Sequence, residues 1–217
     1  MKRSDFLIDK ISRVFTRDFF FRFGVLMLGV FLISSGIYLF INSQMGSDPI
    51  TVLIDGVATT FGLSFGQSTF AINIGIVVML LLLTVKKFGP GTILNAVFVG
   101  VYLDGLFLLF GNITPDLMVY RYLMLVTAVI SLGSGIAIYV SANMGEGPIE
   151  ALMMVLKERT NFSLKSVKMS MDFCFGALGF LMGATLGIGT VVGVVAVGPV
   201  TQTAFKFVEK IRGNGVA

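Results

Sequence analysis

Six runs of about 20 mostly apolar residues, the length a helix needs to cross the hydrocarbon core, divide the chain. They fall at Phe23 to Ile41, Gln67 to Val85, Thr92 to Phe110, Tyr122 to Val140, Val167 to Met182 and Thr190 to Phe207. Two further apolar stretches, Ile50 to Phe61 and Ile149 to Leu156, are too short to span at 1.5 Å per residue and read as half-helices or surface-lying segments. The pattern predicts an all-α membrane protein with six transmembrane helices, and the lipid bilayer is its first partner.

Upstream of the first run, Leu7, Ile11, Val14, Phe15 and Phe19 recur at helical spacing among Lys2, Arg3, Lys10, Arg13, Arg17 and Arg22. That predicts an amphipathic helix over residues 1–21 on the cytoplasmic leaflet, followed by an uncleaved first span. The two repeats would occupy residues 22–110 and 121–206, forming one domain, with a cytoplasmic tail over 207–217. If the two short segments do not cross, every Lys and Arg except Arg121 falls on one side of the membrane. The positive-inside rule then puts both termini in the cytoplasm.

The strongest internal signal is a duplication. SSGIYLFINSQMGSDPI (34–50) is matched by GSGIAIYVSANMGEGPI (133–149), with Met45 over Met144, Gly46 over Gly145 and Pro49 over Pro148. The register continues through Asn73 over Asp172, slips by one residue, and sets GPGT (89–92) over GIGT (187–190) and Asp104 over Gln202. Each copy contains a span, a Met-Gly-x-x-Pro-Ile turn into a half-helix, and two more spans. Three crossings is an odd number, so two copies in series must be oppositely oriented. Paired Gly/Pro-interrupted segments in such inverted repeats point to a substrate site near the midplane. A proline at the first helical position has no N–H to leave unsatisfied, and a half-helix starting there would offer backbone amides and a positive dipole end to an anion or dipole.

Composition agrees and narrows the chemistry. Of 217 residues, 55% are hydrophobic and 13% charged, about half the charge of a soluble domain, and the mean hydropathy is +0.93. No His and one Cys, Cys174, leave no imidazole catalysis, no zinc cluster and no intrachain disulfide. No cofactor fingerprint is present, so a cofactor is not expected. The net charge of +4 is that of cytoplasmic loops and implies no nucleic acid.

Ionisable residues inside spans are functional candidates by default, because they are costly to insert. Asp104 lies deep in the third span and Asp172 in the fifth, with no Lys or Arg expected beside them. Their repeat partners Gln202 and Asn73, with Asn95 on the third span, complete a polar set expected at equivalent depths. With the turn residues Gly46, Pro49, Gly145 and Pro148, and with Asp55 and Glu150 in the half-helices as weaker members, these are the candidate substrate- or ion-binding residues. Each could instead serve only packing through interhelical hydrogen bonds. Glycines at spacings of four, such as Gly179 with Gly183 and Gly189 with Gly193, are expected to let helices approach closely, within one chain or in a homodimer.

GTILNAVFVGVYLDGLFLL (91–109), the paired Met-Gly-x-x-Pro turns and LGIGTVVGVVAVGPVTQTAF (186–205) together resemble the YczE/YyaS/YitT family of bacterial integral membrane proteins, in its short YczE-like branch. The resemblance implies a multi-pass protein of the bacterial inner membrane and a suspected transport role with undefined substrate. The expected function is therefore a secondary transporter or channel for a small molecule or ion. A substrate-capture subunit of a vitamin-type importer and a non-transporting regulator or scaffold are the alternatives. An enzyme is not expected: the G-x-G-D signature of intramembrane aspartyl proteases is absent around Asp104.

Overall fold

The computed structural model describes residues 17–83 and 89–213. Among them the chain forms eight helices: α1 (Arg17–Ser43), α2 (Pro49–Phe61), α3 (Phe65–Leu83), α4 (Pro90–Phe110), α5 (Met118–Ser141), α6 (Pro148–Arg159), α7 (Leu164–Leu181) and α8 (Ile188–Gly213). Five of them, α1, α3, α4, α5 and α8, are long and apolar enough to cross a membrane. This is an all-α membrane protein. Helix is the outcome lipid enforces, because each backbone N–H and C=O must find its partner within the segment.

The expected spans and half-helices coincide with observed helices, with three differences. The amphipathic helix expected over residues 1–21 lies outside the described residues except for 17–21, which open α1 without a break. The tail expected from 207 continues α8 to Gly213. The fifth expected span is helical as α7, but with Lys165, Lys168 and Asp172 in it, α7 is not among the five apolar helices.

Local sequence sets the starts and stops. Pro49, Pro90 and Pro148 each begin a helix just after an extended residue, where a missing N–H costs nothing. Ser163 caps α7 by accepting from the Ser166 N–H at 3.1 Å, and Gly62 ends α2 in the left-handed conformation at φ +65°.

The centre of the fold is the crossing of α1 and α5, the first helix of each sequence repeat. A Cβ on Gly36 would lie 2.7 Å from the Leu132 nitrogen, and one on Gly135 2.7 Å from that of Ile33, so only glycine lets these backbones meet. Leu26, Val30, Phe40, Leu103, Leu132 and Tyr139 fill the core around the crossing. A second core of Ile76, Leu80, Leu152, Val155 and Met171 joins α3, α6 and α7. The half-helices are exchanged between repeats: α2 packs on α7, with Gly56 against Gly179, and α6 packs on α3.

One pairing is not duplicated. Helices α3 and α4 pack closely at Gly66 and Gly100. Their counterparts α7 and α8 instead leave an apolar groove of about 470 Å³, lined by Pro49, Phe173, Gly176, Phe180 and Val194 among others.

Candidate functional site

Two clasps hold the turns that launch α2 and α6. In the first, Gln44 and Gly46 take left-handed φ angles of 54° and 87°; in the second, Asn143 and Gly145 take 53° and 126°. The Met45 carbonyl accepts the Gly189 N–H at 2.7 Å, and the Met144 carbonyl accepts the Gly91 N–H at 2.8 Å. In each case the donor is the second glycine of the G-[PI]-G-T motif of the other repeat. The threonine completes the turn by accepting from the first glycine, Gly89 to Thr92 Oγ1 and Gly187 to Thr190 Oγ1, both at 3.3 Å. Thr92 Oγ1 also donates to the Glu146 carbonyl at 2.6 Å. The motif is thus a receptacle for the Met-Gly turn, and it leaves no room for a Cβ on Gly89 or Gly187.

Held this way, the first residues of both half-helices open onto one cavity of about 140 Å³. Pro49 and Pro148 line it together with Asp48, Asn73, Asn95, Glu150, Lys168 and Asp172, and with apolar side chains that include Ile33, Ile136, Met153 and Val197.

Its polar groups are unevenly satisfied. Asp48, 7% exposed, accepts from Thr51 Oγ1 at 2.5 Å over the first turn of α2. The Glu150 carboxylate folds back over Gly147 at the start of α6, where a Cβ would collide with it. Each half-helix therefore has a carboxylate of its own at its positive end. Lys168 Nζ donates to both Asp172 oxygens, at 2.8 and 3.1 Å. Asn73 and Asn95, 5% and 7% exposed, line the cavity with side chains that make no hydrogen bond to the described residues.

The structure thus brings Asn73, Asn95, Asp172, Pro49, Pro148 and Glu150 together at one cavity and places the other candidates elsewhere. Asp104 accepts from Ser64 Oγ at 2.7 Å and from the Gly66 N–H at 2.8 Å; it ties the start of α3 to α4, away from the cavity. Gln202, its repeat partner, is exposed on α8. Gly46 and Asp55 line a separate polar recess with Gln44, Ser47 and Thr185. Gly145 is pressed against Gly89 in the clasp. Asp48 and Lys168 had not been singled out, and the expectation that no basic residue accompanies Asp172 is corrected by Lys168. The spacing of four between Lys168 and Asp172, one helical turn, is the signal for that pair in the sequence.

A family model described as a family of unknown function, DUF6198, matches residues 20–206. The chain belongs to DUF6198. Relatives of this DUF6198 chain include an uncharacterized membrane protein YczE from Bacillus subtilis, 30% identical over 78% of this chain and 79% of the relative. An uncharacterized protein from Haemophilus influenzae is 28% identical over 87% of this chain and 85% of its own length. The uncharacterized protein YyaS of Bacillus subtilis is 23% identical over 84% and 92%. No solved structure matches. The resemblance to the YczE-like branch, and with it a multi-pass membrane location, therefore holds.

Proposed function

We propose that this chain is a secondary transporter or channel for a small molecule or ion in the bacterial cell membrane, and that its substrate site is the cavity between the two half-helices. The observation that carries this reading is that Pro49 and Pro148, the first helical residues of two half-length helices, line the same cavity. Irregular backbone at membrane depth is tolerated where it lines a cavity or is buried in protein, and transporters with inverted repeats build their sites from such broken helices.

In this reading the chain has six spans in two inverted three-span repeats, with both termini cytoplasmic. The reciprocal clasps, Gly91 to Met144 and Gly189 to Met45, support a pseudo-two-fold relation between the halves. The sixth span is α7, whose 18 residues reach about 27 Å, close to the thickness of the hydrocarbon core. Its low hydropathy has a local cause: Asp172, largely buried, lines the cavity as intramembrane charges generally face the protein interior, and its partner Lys168 lies one turn nearer the start of α7.

Reconstitution of the protein alone in liposomes tests the proposal. Uptake of labelled amino acids, vitamins, organic cations or anions above that of empty vesicles, lost in Asn73→Leu, is the expected result. Folded protein that carries none of them would favour a scaffold. Uptake that appears only with a partner ATPase would favour an importer subunit.

A further inference from the structure

Resting on the reading of this cavity as the substrate site, we infer that its ligand is a small organic cation with an apolar body, about the size of a single ring. The evidence is the balance of donors and acceptors around the space. Four charged side chains face it: Asp48, Glu150, Asp172 and Lys168. The one cation is already committed, since both Asp172 oxygens accept from Lys168. Three carboxylates therefore share this one cation, and neither Asp48 nor Glu150 has a side-chain ion pair of its own among the described residues.

A half-helix N-terminus would ordinarily invite an anion. Here the Asp48 and Glu150 carboxylates stand at those two ends, so an incoming anion would meet like charge at both. A cation would instead offset charge held away from water, where an unpaired ion is costly.

The second observation is independent of charge. Asn73 and Asn95, more than nine-tenths buried, line the cavity without a hydrogen-bond partner among the described residues. Buried polar groups are normally satisfied, so these amides await water or a ligand. An ammonium group carries only donors and finds acceptors in both the carboxylates and the two amide oxygens.

The remaining wall is aliphatic, and the volume sets the size. A cavity of about 150 Å³ accommodates benzene, close to the 140 Å³ here. Among the described residues no three carboxylates are grouped as a metal site. Their charge is spread around the space in a way that suits a cationic head on an apolar body.

Three probes of matched shape test the inference on the purified full-length chain in detergent: benzylammonium, benzyl alcohol and benzoate. Saturating benzylammonium should raise Tm by about 2–4 °C, with little effect from the other two. Glu150→Gln and Asp48→Asn should each weaken the response about tenfold or more. Asp104→Asn, away from the cavity, should keep it. Should Asp48→Asn fail to fold, Glu150→Gln and the comparison of probes on the parent protein still decide. A larger shift with benzoate, or equal shifts with alcohol and ammonium, would overturn the cation while leaving the cavity as a binding site. No shift with any probe would also overturn it, and the transport reading would then stand or fall on flux alone.

Discussion

The Gly91 N–H donates to the Met144 carbonyl at 2.8 Å, so the first turn of α4 holds the turn that launches α6. Gly189 does the same for Met45 at 2.7 Å. Each repeat positions the other's half-helix, and the cavity between those half-helices depends on both clasps. A small disturbance at either one should therefore reach the site.

The glycines of the clasp are the first test. A Cβ on Gly89 or Gly187 would run into the carbonyl of Met144 or Met45, which is backbone and cannot swing aside. Gly89→Ala and Gly187→Ala should each destabilise by about 1–3 kcal/mol, the usual cost of overpacking. Gly75→Ala, where nothing lies within 4 Å of the added carbon, should instead gain about 0.5–1 kcal/mol from helix propensity. Thermal unfolding in detergent ranks the three, and equal Tm values would show that the clasp is not tight.

Asp104 should matter for stability and not for ligand. Its carboxylate takes the Ser64 hydroxyl and the Gly66 N–H, so Asp104→Ala leaves an N–H in the first turn of α3 without its acceptor. A loss of about 1–3 kcal/mol is expected, with the ligand response retained. A variant of unchanged Tm that no longer binds would return Asp104 to the site.

The Lys168–Asp172 pair can be weighed by a double-mutant cycle. Lys168 is 47% exposed at its side chain and Asp172 14%, so solvent screens the pair, and Lys168→Met should cost about 1 kcal/mol. Adding Asp172→Asn removes the charge left behind and should recover part of that loss. If the double variant loses as much stability as the two singles added together, the two residues do not act as a pair.

Asn95 separates function from folding. Its amide is buried without a partner among the described residues, so Asn95→Leu should change stability by less than about 1 kcal/mol, in either direction. Binding of benzylammonium should nevertheless be lost, because an acceptor has been replaced by a side chain that fills the cavity. Retained binding in this variant would move the ligand elsewhere.

Much of this arrangement could be read in the chain. The half-helices expected over Ile50 to Phe61 and Ile149 to Leu156 are Pro49–Phe61 and Pro148–Arg159, because proline and glycine punctuate the backbone unambiguously. Position along a span is only half of a residue's placement; direction around the helix is the other half. Asn95 and Asp104 are nine residues apart, two and a half turns at 3.6 residues per turn, so they lie on opposite faces of α4. Gly193, which lines the cavity, and Gln202 stand in the same relation on α8. Two residues were hidden by their context. Asp48 reads as an ordinary residue before a helix, and Lys168 as one more cytoplasmic lysine. What brings them to one cavity is the packing of α2 against α7, a tertiary feature that no local pattern contains.

The account turns most on the opposite orientation of the two halves, and sidedness of labelling tests it. Leu63 and Phe162 are repeat-related and lie exposed in the loops that follow α2 and α6. In a Cys174→Ser background, Leu63→Cys and Phe162→Cys should react with a membrane-impermeant maleimide from opposite faces of intact cells, Leu63→Cys from outside and Phe162→Cys only after permeabilisation. Labelling of both from the same face would contradict the inverted repeat and, with it, a cavity built from half-helices that enter from opposite sides.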